Sequence, residues 1–200
     1  MKKEVISSNS LILDNVKIER KLNKIDTIIS NYQKEIEVSQ AINRKVIGKL
    51  ERDYTRDKDD YYTFICKTWF ESFPKTDFAL LNRGSIRQDL KKGDINISAI
   101  KLIMPFENTL YLVDVKGSNL IDELKNKKII GCYKSSNNTI MYSDIKEIQP
   151  DKTYRIILPD FLYCGGDKVS IKSKCENLEE TKLNYQEPMI NYFIKYKIVK

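Results

Sequence analysis

Not one of the 200 residues is histidine. That absence excludes Ser–His and Cys–His nucleophilic machinery, and any zinc or two-metal centre built on imidazole. A magnesium site made of carboxylates alone stays open. No stretch approaches the roughly 18 consecutive apolar residues of a membrane helix, and the first residues, Met1-Lys2-Lys3-Glu4-Val5-Ile6, lack the apolar core of a secretory signal. The four cysteines, Cys66, Cys132, Cys164 and Cys175, are widely spaced with no CxxC pair. They read as reduced thiols of a cytoplasmic protein, with two disulfides in a secreted chain as the alternative. There is no internal repeat and no low-complexity tract.

What is present is ordinary for a globular chain: 41% hydrophobic and 32% charged residues. The net charge of +7 would suit nucleotides, nucleic acid or acidic lipid, but its lysines are scattered, and scattered lysines make no focused field. Residues 1–20 read as an irregular arm, with Leu11-Ile12-Leu13 as an edge strand. Over residues 21–40, Leu22, Ile25, Ile28, Ile29, Tyr32 and Ile36 recur at three- and four-residue spacing, the mark of an amphipathic helix lying on a core or a partner. Residues 41–50 read as a strand and 61–73 as a helix, with Asp57, Asp59 and Asp60 capping its positive end rather than holding a metal. Strands follow at 77–81, 109–115, 128–133 and 154–158, with a hairpin partner at 139–142. Short helices fall before Met104 and over 119–125, the latter capped by Ser118. Pro188 opens a final helix over 187–196. Helices mixed with hairpins give an α+β fold, a mixed β-sheet with packed helices. The expected organisation is an arm over 1–20 and one domain over 21–200.

Three turns each follow an apolar stretch and each display a distinctive side chain. The first, Asn82-Arg83-Gly84-Ser85, is followed by Arg87. The second, Met104-Pro105-Phe106, shows an aromatic ring. The third shows Phe161 and then, past Gly165-Gly166, Asp167. A nucleoside asks for such a set. Its base is held between aromatic faces, its paired ribose hydroxyls suit one carboxylate, and its phosphate suits a guanidinium. Each residue alone also has a plain structural reading, as core or as turn.

The same stretches, Asp77-Phe-Ala-Leu-Leu-Asn-Arg-Gly-Ser-Ile-Arg87, Lys101-Leu-Ile-Met-Pro-Phe106, Thr109-Leu-Tyr-Leu-Val-Asp-Val-Lys-Gly-Ser118 and Ile157-Leu-Pro-Asp-Phe-Leu-Tyr-Cys-Gly-Gly-Asp167, resemble the C-terminal substrate-binding domain of the 5'-nucleotidase / UDP-sugar hydrolase family. The resemblance implies that Phe106 and Phe161 clamp the base and that Asn82, in the turn with Gly84, touches it. It implies that Asp167 holds the ribose, that Arg87 serves the phosphate, and that Arg56 stands for a further arginine upstream. Arg83 and Lys168 depart from the pattern by adding bulk and charge where glycine is common, and Cys164 beside the glycine pair is unusual. The family's chemistry belongs to a separate metallophosphatase domain that binds two metals through His, Asp and Asn, which this chain has neither the length nor the histidine to form. The expectation is therefore a nucleotide- or nucleoside-binding module with no catalytic residue, metal or cofactor of its own, and residues 1–20 as a remnant of the connection. The alternative is the binding half of a nucleotidase whose catalytic half is a separate chain. A basic single-strand- or RNA-binding protein using the same rings is a third, weaker reading, and a membrane partner is not expected.

Overall fold

Apolar residues alternate along the central strands, and the computed structural model, which describes residues 8–134, 140–142 and 145–200, sends the two sets to opposite faces of one sheet. Contacts divide the chain into residues 1–45 and 46–200. Among the described residues the first unit contains one helix, α1 (Ser8–Arg44). The second follows with β1 (Val46–Leu50), α2 (Asp59–Ser72), β2 (Phe78–Asn82), β3 (Gly93–Asn96), α3 (Ile97–Ile103), β4 (Thr109–Lys116), α4 (Gly117–Leu124), β5 (Ile129–Lys134), β6 (Ile140–Tyr142), β7 (Thr153–Pro159), α5 (Asp160–Tyr163), β8 (Cys175–Asn184), α6 (Glu187–Tyr196) and β9 (Ile198–Val199).

The main sheet has the order β6-β5-β2-β7-β4-β8. Only β2 and β7 pair in parallel among its described strands, through Phe78↔Ile156 and Ala79↔Ile157, and their neighbours run antiparallel. Ala79, Leu81, Ile130, Cys132, Leu110, Leu112 and Ile157 face a core completed by Trp69, Tyr61 and Ile65 of α2 and Met189 and Phe193 of α6. Phe78, Leu80, Val113, Val115, Ile156 and Leu158 face a second core closed by Leu120 of α4, Leu162 of α5, Val169 and Ile171. Two-sided burial explains why β2, Phe-Ala-Leu-Leu-Asn, is buried at every residue. A smaller sheet, β3-β1-β9, stands beside it.

Several local expectations are corrected. The chain is helical from Ser8, so Leu11-Ile12-Leu13 is not an edge strand, and α1 runs to Arg44, so the following strand starts only at Val46. Asp59 and Asp60 do lie in the first turn of α2, where they complement the helix dipole, but the N-cap residue is Lys58, whose side chain makes no capping bond. Instead Asp60 accepts from Arg52 at 2.8 Å and Asp57 from the Tyr62 hydroxyl at 3.0 Å. Ser118 does not cap α4 either, because the helix has already begun at Gly117 and the Ser118 N–H donates to the Pro150 carbonyl at 2.9 Å. Of the expected loop and hairpin partner, Ser135 to Thr139 lie outside the described residues, while Ile140–Tyr142 pairs with β5 as expected.

Gly117 marks a close approach of two backbones. A Cβ there would stand 2.0 Å from the Gln149 carbonyl oxygen. Gly117→Ala should therefore force the 149–152 turn off α4 and cost about 2–3 kcal/mol, read as a lowered denaturation midpoint with unchanged slope.

Candidate functional site

Strand direction brings the three turns together. Because β2 and β7 are parallel neighbours, Asn82 at the end of β2 and Phe161 just past β7 lie at the same edge of the sheet. β4 runs antiparallel to β7 with Leu110 opposite Pro159, so the start of β4, preceded by Phe106 and Asn108, lies at that edge too. Crevices outside the carboxyl ends of strands are recurrent ligand sites in open sheets. Here a cavity of about 340 Å³ is walled by Asn82, Gly84, Arg87, Phe106, Asn108, Phe161 and Asp167.

Six of the seven residues expected from the sequence therefore meet in one place. Arg56 does not join them. Its backbone N–H donates to Asp89 Oδ1 at 2.7 Å and its Nε lies 3.6 Å from Asp57 Oδ2, which ties it to the neighbouring turn. Arg83 is also turned away from the cavity. Its Nε donates to the Lys127 carbonyl at 3.1 Å and its guanidinium lies 5.5 Å from the Tyr62 ring centre. The bulk expected beside the pocket thus braces the turn instead. Asn108 is missed by the sequence reading, because nothing local distinguishes a pocket asparagine from a turn asparagine.

Asn82 is buried, yet its Oδ1 has no hydrogen-bond partner among the described residues. A buried amide oxygen left unpaired costs on the order of 1–3 kcal/mol, so this acceptor favours any ligand that brings a donor. Phe106 and Phe161 belong to neither core and are 40% and 43% exposed, which is unusual for two phenylalanines flanking one cavity. The Arg87 guanidinium sits 5.0 Å from the centre of the Phe106 ring, and its backbone N–H is held by the Ile103 carbonyl at 2.8 Å.

The Gly-Gly-Asp turn is built by local strain. Gly165 has φ +97°, Asp167 φ +50° and Lys168 φ +66°, a left-handed run that glycine and aspartate tolerate best. Gly166 is required for another reason: a Cβ there would stand 2.5 Å from the Phe161 ring. The turn is pinned by Asn126, whose Nδ2 donates to the Asp167 carbonyl at 2.7 Å, and by buried Glu123, whose Oε1 accepts from Ser170 N and Oγ at 3.0 and 2.6 Å. Lys128 Nζ lies 3.2 Å from Asp167 Oδ1.

The Phe106 loop is held by the residues that lead into α6. The Tyr185 hydroxyl accepts from the Phe106 N–H at 3.2 Å, and Gln186 Nε2 donates to the Met104 and Phe106 carbonyls. Trp69 Nε1 in turn donates to the Tyr185 carbonyl at 3.1 Å. Burial pushes the Tyr185 hydroxyl up to about 12, partly opposed by the Phe106 N–H and by Arg87. The hydroxyl is therefore neutral at physiological pH. Gln186→Ala should leave the Met104 and Phe106 carbonyls without this donor. It should lower unfolding stability by about 1–3 kcal/mol and loosen Phe106, which denaturant titration and fluorescence of a ring-bearing ligand would report together.

Several known proteins resemble this chain in sequence or in fold. The family model described as "5'-nucleotidase, C-terminal domain" matches residues 42–143, about half of the chain. Endonuclease YhcR of Bacillus subtilis is 30% identical over 176 residues, covering 78% of this chain and 14% of that protein. Protein UshA of Yersinia enterocolitica is 32% identical over 139 residues, covering 61% of this chain and 25% of that one. Among solved structures, a 5'-nucleotidase precursor from Thermus thermophilus superposes with a TM-score of 0.69 at 19% identity, over 82% of this chain and 39% of its own. The NAD nucleotidase of Haemophilus influenzae gives 0.66 at 17%, over 88% and 39%. These structures share the fold, and this chain spans well under half of each relative's length.

Proposed function

The chain belongs to the 5'-nucleotidase C-terminal domain family, and from that membership we propose that it is a nucleotide- or nucleoside-binding module with no hydrolysis of its own. The observation that carries the reading is the meeting of two half-exposed phenylalanines, an aspartate and an arginine around a buried Asn82 oxygen that has no partner among the described residues. Phe106 and Phe161 stack the base, each face being worth about 1–3 kcal/mol. Asn82 Oδ1 accepts an N–H from the base edge. Asp167 accepts the ribose hydroxyls, and Arg87, braced on Phe106, meets the phosphate side. The chain contains no histidine with which to build the metal-dependent half of the family's chemistry. Its four thiols are unpaired, which suits a reducing compartment such as the cytoplasm.

Calorimetric titration with adenosine, AMP, ADP, UDP-glucose and cyclic nucleotides, with phosphate release followed in the same samples, tests this. Saturable binding without release is expected, and no binding to any of them would overturn it. A second reading rests on the small share of each relative that the chain spans: it is the substrate-binding half of a nucleotidase whose metallophosphatase half is elsewhere. That reading expects metal-dependent release once such a half is added, and release that stays absent would count against it.

A further inference from the structure

The apolar pattern along α1 has a period that the nucleotide site does not use. From Ile18 the residues Ile18, Leu22, Ile25, Ile29, Tyr32, Ile36, Ser39 and Asn43 follow at alternating intervals of four and three. That is a heptad seam, with Leu22, Ile29, Ile36 and Asn43 at a and Ile18, Ile25, Tyr32 and Ser39 at d. The helix is continuous through the whole stretch, about 39 Å at 1.5 Å per residue. The six large apolar residues of the seam are each between 48% and 62% exposed. A run of that size exposed on one helix stripe marks an interaction surface.

We propose that α1 pairs in parallel and in register with α1 of a second copy of this chain, as a two-stranded coiled coil. Three features select this partner. A period of 3.5 residues keeps the seam facing another long helix, whereas a helix on a globular core drifts at 3.6. In register, Lys21 at g faces Asp26 at the following e of the other copy, so the pair is complementary twice over by symmetry. Asn43 at a meets its own counterpart only in the parallel, in-register arrangement, where two amides can pair. The four e positions, Glu19, Asp26, Gln33 and Gln40, are all polar and close one flank of the seam. Ile28 and Ile42 at g extend the apolar contact on the other.

Sedimentation of the full chain over a range of concentrations tests the proposal. A dimer is expected, and Ile25→Asp with Ile29→Asp should raise its dissociation constant at least about a thousandfold, since each pairing would then bury unpartnered carboxylates. Adenosine titration of the same variant should be unchanged if the second unit keeps its fold, which separates lost pairing from lost folding. Asp26→Lys and Lys21→Asp should each weaken the homodimer, while their equimolar mixture restores pairing. A chain that is monomeric at every concentration, including one whose α1 is covered by its own second unit, would overturn the proposal. So would a dimer that survives both aspartates, or charge variants whose mixture does not pair.

Discussion

Phe106→Ala combined with Phe161→Ala should abolish measurable nucleotide binding and leave the fold intact. Both rings are more than a third exposed and neither belongs to a core cluster, so their truncation removes little that holds the domain together. In the cavity they supply the two apolar faces on which a base would lie. Losing both should cost about 3 kcal/mol or more, above a hundredfold in Kd. The single variants should each lose less, with Phe106→Ala the more damaging. Its ring also carries the Arg87 guanidinium at 5.0 Å, so its removal frees the phosphate-side cation as well. Calorimetry and denaturant titration on the same samples separate affinity from stability. Unaltered affinity in a folded double variant would mean that the base does not lie between these rings.

The second large effect concerns sugar recognition. Asp167→Gly, which removes the carboxylate but keeps the left-handed φ of +50° accessible, should weaken ribonucleotides by about 2–3 kcal/mol, since charge-assisted hydrogen bonds are worth about 1.5–3 kcal/mol each. It should leave 2'-deoxynucleotides almost untouched, so that the preference for ribose disappears. The Asp167 carboxylate, 19% exposed, is already 3.2 Å from Lys128 Nζ, but that lysine is two-thirds exposed, and a pair whose cation is open to water is worth little. Ribose hydroxyls can therefore displace it without a large penalty. Equal losses for ribo- and deoxynucleotides would assign Asp167 to holding the turn rather than the sugar.

How much of this was legible in the sequence depends on where each signal lives. β4, Thr-Leu-Tyr-Leu-Val-Asp-Val-Lys, and β2 are visible because burial on a pleated sheet imposes period two or an unbroken apolar run. β8 is not. It is an edge strand, Cys-Glu-Asn-Leu-Glu-Glu-Thr-Lys-Leu-Asn, largely exposed, bulged against β4 and carrying positive φ at Asn177 and Lys182, so no alternation betrays it. The first turns of α1 are hidden by a polar stretch, Ser-Asn-Ser, followed by apolar residues too few to show a period. The site is readable where a residue ends or closely follows a buried strand, as Asn82 and Phe161 do, or follows a glycine pair, as Asp167 does. The supports are not readable. That Tyr185 and Gln186 hold the Phe106 loop from about 80 residues away, or that Lys128 pairs with Asp167, are facts of three-dimensional contact. Arg56 lies outside the cavity because resemblance alone pointed to it, with no strand end to carry it there.

The most direct test of the central claim is an amide-resolved NMR titration of the chain with AMP. Binding in the cavity predicts saturable shifts at the Asn82 side-chain amide, at Gly84 and at Gly165 to Asp167, with ring protons of Phe106 and Phe161 showing contacts to the base. Shifts confined to other surfaces, with the Asn82 amide unmoved, would contradict it.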